Sequence, residues 1–499
     1  MSGKKDTFGL LRSIFWPVHR SELKKVLSML LLLFLLCVAY SILRNLKDAV
    51  IITAKHSGAE VIPFIKVWGM LPAAFGATWL FTRLRRRFGR EKVFYIVISS
   101  FLAYFLLFAF VLYPHREVLH FNQTGNVLHA MLPQGFGGLI ALFCNWTITS
   151  FYILAELWSV LVLSVLFWGF ANDITEVGEA KRTYGILNIG SNIAPILGGG
   201  FALVFSHAIE IPFLDKFIDP WQQTISQLVI IVCLCGIAAM GLYYRMHRTG
   251  LIAQEVAPVN PQEKRKLSLR ESVRYILRSP YLIPLTLIVL GFNICINLTD
   301  VLWKEQLKRF FTDPNHLLAH MNGVTVGIGI FGTIGGVLFS YIVRRWGWTA
   351  TALITPLIMI AMGASFFFFF FGKGAASSWI AGVLGLTPVA LSVFSGSLQN
   401  CLSKACKYSV FDASKELAFL PLDPESRLRG KAAIDGLGSG VGKSGSSLLY
   451  QGLIIACGAL SSAAPYIAMI LFAVLGIWVL SVLSLGKQFK QKTAAVVEY

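Results

Sequence analysis

The chain has 499 residues, 56% of them hydrophobic and only 14% charged, with a mean hydropathy of +0.67. That balance excludes a soluble globular protein and predicts an all-α integral membrane protein. The formal charge of +19 raises nucleic acid as a partner, but the cations gather at the termini and in alternate connections. Topology and anionic lipid therefore account for it, and no nucleic acid is expected.

Residues 1–25 form a basic N-terminal segment that contains Asp6 and Glu22 and no A-x-A-like cleavage site. Neither a cleaved signal nor a transit peptide is expected there. Apolar runs of bilayer length follow at 26–43, 61–81, 93–113, 143–170, 186–205 and 225–244, and a second series at 282–302, 324–343, 350–371, 379–401, 434–460 and 464–485. The roughly twenty-residue criterion makes about twelve transmembrane helices. The longest polar stretch, 247–272, lies almost centrally. It divides the chain into a first six-helix half (26–246), a cytoplasmic linker (247–281), a second six-helix half (282–485) and a C-terminal tail (486–499). Lys and Arg cluster in 4–25, 83–92, 245–278, at Arg344 and Arg345 and in the tail, whereas the opposite loops hold few cations, among them Lys55, Arg116, Lys216 and Lys373. The positive-inside rule places both termini in the cytoplasm.

Eight cysteines, mostly in apolar stretches and without a C-x-x-C pair, suggest neither a disulfide framework nor a zinc site.

Ionisable residues inside membrane spans are costly, so those present are expected to face a polar cavity or a partner. Helix one ends ILRNLKDAV with Arg44, Lys47 and Asp48, and Arg44 and Asp48 are spaced to pair on one face. Helix two carries Lys66 just beyond Pro63, where a distortion would frame a site. Helix four carries Glu156 with no local partner. Helix seven carries Asp300 and Lys304 at i, i+4, and helix eleven carries Asp435 and Lys443. Cations outnumber carboxylates on helices of both halves, a balance that suits a polyanion. Trp68, Trp158, Trp168 and Trp303 accompany these helices. Trp68, Trp158 and Trp303 are candidates for stacking a base, although interfacial anchoring is the favoured account of such tryptophans. Phe366 to Phe371 read as lipid-facing.

GLGSGVGKSG at 436–445 approaches a phosphate-binding P-loop. The first glycine of G-x-x-x-x-G-K-[ST] would fall on Leu437, however, and no strand precedes it. The same segment echoes AKRTYGILNIGSNIAPI (180–196) of the first half, aligned through Gly190-Ser191 and Gly438-Ser439. Small residues that let helices approach account for a motif used twice better than a nucleotide loop does. Parallel six-helix repeats place a substrate site between the halves near the midplane.

NLKDAVIITAKHSGAEVIPFIKVW, AELWSVLVLSVLFWGFAN, INLTDVLWKEQLK, LQNCLSKACKYSVFDASKELAFLPLD and RGKAAIDGLGSGVGKSG together resemble the ATP/ADP translocases, nucleotide transporters of plastids and obligate intracellular bacteria. The resemblance runs over nearly the whole chain. It implies a major-facilitator-like fold and import of host ATP in exchange for ADP, with proton-coupled import of several nucleoside triphosphates or another organic anion as the alternative. The family's important charges match Lys66, Glu156 and Lys443. Asp300 stands in T-D-V-L-W-K where the family has a glutamate, and Asp173 in F-A-N-D-I-T where it has a glutamine. The shorter carboxylate at Asp300 is expected to loosen its contacts and favour dependence on protons.

Arg44, Lys47, Lys66, Lys304 and Lys443 are thus the expected substrate-binding cations, with Glu156 and Asp300 as counter-charges. ATP, ADP, other nucleoside triphosphates and protons are the expected partners, together with the lipid bilayer. No cofactor, no metal and a monomer are expected, in a bacterial inner membrane. A polytopic membrane enzyme would need a polar catalytic cluster near an interface, and the sequence offers no convincing one.

Overall fold

The computed structural model describes residues 18–19, 22–175, 177–206, 219–249, 269–372 and 375–497. Most of the linker, together with Lys216 and Lys373, lies outside them. All regular structure in the described residues is helical. The long helices are α1 (Leu23–Ile52), α2 (Val61–Arg87), α3 (Arg90–Leu112), α4 (Trp146–Ile174), α5 (Val177–Ser206), α6 (Pro220–Arg248) and α7 (Leu282–Phe310). Pro314–Phe370 follows, a run of 57 residues. At 1.5 Å per residue it would reach about 85 Å, far beyond one bilayer core of about 30 Å. Gly347 divides it, at φ 77, a backbone conformation that glycine adopts without strain. The parts before and after are α8 and α9. Then come α10 (Pro388–Cys406, continued by Lys407–Phe411 and Asp412–Phe419), α11 (Pro424–Cys457) and α12 (Leu460–Val497).

Helix starts follow local chemistry. Asp313, Thr387 and Asp423 each precede a proline, and their side chains accept from the backbone N–H of Asn315, Ala390 and Ser426, the arrangement expected of an N-cap with proline in the first turn. Eight described helices are long and apolar enough to cross a membrane. The expected number of about twelve is reached only by counting α8 and α9 separately and adding α5, α10 and α11; in α5 the apolar part among the described residues, Gly190–Ser206, is shorter than a full span.

Buried apolar side chains form two main clusters, one built largely from α1–α6 and the other from α7–α12. The packing repeats: α1 lies against α4, α5 and α6, and α7 lies against α10, α11 and α12. The halves meet through α5 with α8 and through α2 with α11, partners that exchange under the same repeat. Large apolar side chains such as Phe75, Trp79, Leu234, Ile237 and Leu480 are exposed on the outside, where lipid would cover them.

The glycine motifs serve this packing. A methyl group at Gly190 would run into Leu30 of α1, and one at Gly438 into Val289 of α7. Residues 436–445 lie inside the continuous helix α11, so no P-loop forms. The phenylalanine run is not uniformly lipid-facing. Phe366 and Phe367 are buried, Phe367 close to Phe472 of α12, while Phe368 and Phe371 are exposed.

Candidate functional site

The two ends of the bundle differ. One end carries Arg85–Arg87, Arg245, Arg248, Arg344 and Arg345. At this basic end, Lys25 pairs with Glu179 at 2.8 Å and Arg182 with Glu22 at 2.7 Å, joining α1 to α5. Arg90 of α3 pairs with Asp173 of α4, and Lys415 of α10 with Asp435 of α11 at 3.0 Å. Each of these bonds stays within one half. The bonds that cross between halves lie in the middle and toward the other end. Asn45 donates to Asn322 Oδ1 at 2.7 Å and to Thr325 Oγ1 at 2.8 Å. Lys66 donates to Asn297 at 2.9 Å, Trp68 to Gln451 at 3.0 Å, and Lys308 to the carbonyl of Ser57. Among these bonds, those that tie one half to the other lie in the middle and at the far end, and those at the basic end join helices of one half.

Where the halves meet, a row of alternating charges runs from α4 through α1 and α7 to α10. Glu156 reaches Lys47 at 3.3 Å, Lys47 reaches Asp48 at 2.8 Å, and Asp48 reaches Lys304 at 2.8 Å across the boundary. Lys304 then meets Asp300 at 2.5 Å, and Asp300 meets Lys404 at 2.9 Å. Asn400 donates to Asp300 at 3.1 Å, and the Lys47 ammonium lies 3.9 Å from the centre of the Tyr152 ring. Buried ions persist only when each has partners of opposite sign and further hydrogen bonds, which this row supplies.

On the basic-end side of the row lies a cavity of about 370 Å³, lined by Tyr40 and Arg44 of α1, Ser191 and Asn192 of α5, Thr325 of α8 and Tyr408 of α10, among others. Arg44, Thr325 and Ile328 also line a gap of about 10 Å³ that opens toward Asp300 and Lys404, room for about one water.

Several expectations change. Asp48 pairs with Lys47 and Lys304 and not with Arg44, which lines the cavity. Glu156, without a local partner in the sequence, meets Lys47 of α1. Asp300 keeps three donors, so the shorter side chain has not loosened its contacts. Lys47 and Lys304 are buried between two carboxylates each and do not line the cavity. Trp158 is fully buried against Phe101 and Phe105 and bonded to the Leu36 carbonyl. Trp303 is buried and bonded to Ser397. Neither offers a face for stacking, and of the three only Trp68 is exposed. Trp168 is half-buried and packs edge-on against Tyr184. Lys443 lies on α11, but its side chain is outside the described residues.

The distortion expected beyond Pro63 takes the form of a π turn, Ile65–Met70, which contains Lys66. Two more π turns start just after charges of the row, Trp158–Phe167 after Glu156 and Lys407–Phe411 after Lys404. Such turns widen a helix and re-aim its side chains, and they are frequent at functional sites.

Sequence reasoning passed over Lys404, because the apolar run of α10 ends at Cys401 and a lysine beyond it reads as interfacial. The repeat could have found it. Aligned through Gly190 and Gly438, Lys404 takes the position of Glu156, and Asn400 that of Tyr152. NLKD (45–48) and NLTD (297–300) also echo each other, four residues out of that alignment, and their asparagines make reciprocal contacts, Asn45 with α8 and Asn297 with α2.

A bacterial homologue of the iron transporter ferroportin, in an inward-facing state, matches over 96% of this chain and all of its own at TM-score 0.53 and 15% identity. A D-xylose-proton symporter matches over 93% and 97% at TM-score 0.53 and 14% identity. At such identities the likeness concerns the fold, which is that of major-facilitator-like transporters. Sequence relatives are nearer. "ADP,ATP carrier protein 1" of Chlamydia muridarum is 42% identical over 98% of this chain and 93% of its own length. "ADP,ATP carrier protein 1, chloroplastic" of Arabidopsis thaliana is 37% identical over 98% of this chain and 77% of its own. The family model described as TLC ATP/ADP transporter matches residues 1–489, and the chain belongs to that family.

Proposed function

We propose that this protein exchanges ATP for ADP across a bacterial cytoplasmic membrane, with both termini and the basic end of the bundle in the cytoplasm. The observation that carries this reading is the cavity between the halves, with Arg44 on its wall beside a row of charges that already balance one another. An arginine there offers charge-assisted, planar hydrogen bonds to phosphate oxygens. Rocking of the halves about that site, with the far-end bonds broken and the basic ends brought together, carries the substrate across. No bond is made or broken in such a cycle, so the protein acts as a carrier and not as an enzyme. Support for exchange over proton-coupled import comes from Asp300, which two lysines and an asparagine hold as a counter-ion, an engaged carboxylate and not one free to carry a proton.

The test is uptake of labelled nucleotides into expressing cells. ATP and ADP should enter and compete with each other, while adenosine, which lacks the charge that Arg44 would hold, should neither enter nor compete. Equal competition by adenosine and ATP would remove the phosphate-based reading.

A further inference from the structure

We propose that Lys404 is a phosphate-binding residue, which leaves Asp300 for the substrate when the nucleotide enters. This rests on the nucleotide-exchange reading above and deepens it.

The argument starts from the row of charges. Lys47 and Lys304 sit in its interior with side chains 4% and 6% exposed, each touching two carboxylates. Drawing either toward a ligand would strip two ion pairs from a buried site, which is strongly unfavourable. Lys404 stands at the end of the row. It has one carboxylate partner, Asp300, and its side chain is 18% exposed. Asp300 does not need it, because Lys304 at 2.5 Å and Asn400 at 3.1 Å remain on that carboxylate. Exchanging one anionic partner for another therefore leaves no charge orphaned.

Position gives the direction. The gap beside Lys404 is shared with Arg44, Thr325 and Ile328, and those three also wall the cavity. Lys304, Asp48 and Asp300 line the same gap, but Lys304 is held by both carboxylates, which leaves Lys404, with one carboxylate partner, as the cation there that an anion arriving from Arg44 can draw away. The π turn Lys407–Phe411 begins three residues further on and brings Tyr408 to the same cavity. At the opposite end of the row the sister position is Glu156, so the row ends in a cation on α10 and in a carboxylate on α4.

The experiment is equilibrium titration of the purified full-length carrier with ATP, ADP and AMP, for wild type, Lys404→Gln, Lys404→Arg and the double variant Asp300→Asn with Lys404→Gln. A charge-assisted hydrogen bond corresponds to about 10- to 100-fold in affinity. Lys404→Gln should weaken ATP binding by about that factor and AMP binding less, and Lys404→Arg should stay near wild type. The double variant distinguishes a ligand contact from a structural one. If Lys404 only neutralises Asp300, removing both charges restores affinity. If it holds phosphate, the double variant stays weak. Wild-type affinity in Lys404→Gln, or recovery in the double variant, would overturn the proposal. A wild type that binds no nucleotide would instead overturn the reading on which it rests.

Discussion

Replacing Asp48 with asparagine should open the far end of the bundle. Its carboxylate is the link between halves in the row, holding Lys304 of α7 at 2.8 Å and Lys47 of its own helix at 2.8 Å. Neither lysine is left alone in the variant, since Lys47 keeps Glu156 and Lys304 keeps Asp300. The cost of an orphaned buried charge, about 3–5 kcal/mol, is thus avoided, and the loss is that of one charge-assisted bond, about 1.5–3 kcal/mol. If the bond forms only when the far end is closed, that loss shifts the balance of closed and open forms by about 10- to 100-fold. Ser57, 3% exposed in the closed end and contacted by Lys308, reports on this. In a background without the eight native cysteines, Ser57→Cys should react at least about tenfold faster with a membrane-impermeant maleimide on intact cells when Asp48→Asn is added. Asp173→Asn, which breaks a pair inside the first half, should leave the rate unchanged. An unaltered rate in a well-folded Asp48→Asn protein would refute the assignment of this bond as a latch.

Gly438→Leu should lower the unfolding midpoint in detergent by the equivalent of about 1–3 kcal/mol, through collision with Val289. Gly452→Ala, with open space around it, should not lower it. Trp158→Phe should cost stability through its buried bond to Leu36 yet leave the order of preference among ATP, GTP, CTP and UTP unchanged in competition uptake; a reordered preference would return Trp158 to the site. In proteoliposomes, uptake should require internal nucleotide and ignore an uncoupler at two external pH values. Uptake without internal nucleotide that an uncoupler abolishes would reinstate proton coupling.

The class of the fold was legible because a run of about twenty apolar residues satisfies its backbone in lipid only as a helix, and the charges of α1, α2, α4 and α7 stood out against such runs. Their pairing was less legible. Helical spacing tells which residues can meet on one helix, so Asp300 with Lys304 was foreseen. It is silent on which helices meet, so Asp48 was matched with Arg44 when its partner outside its own helix is Lys304, 256 positions away. Lys404 was missed because hydropathy marks where an apolar run stops, not where a helix stops, and α10 continues past it to Phe419. The tryptophans misled because an indole suits a stacking site, an interface and a core alike, and Trp158 went to the core.

The row of charges has an electrical consequence. Glu156, Asp48 and Asp300 oppose Lys47, Lys304 and Lys404 one for one, so the row sums to zero. Work done by a membrane potential scales with net charge moved across it, about 2.3 kcal/mol per elementary charge per 100 mV. As the halves rock, shifts of opposite sign within the row cancel, and the field acts instead on Arg44, on Lys66 and on the cargo. A triphosphate and a diphosphate differ by roughly one charge at neutral pH, so they are unequal loads in a polarised membrane. In the proposed exchange, voltage as well as concentration then sets which nucleotide is favoured inward.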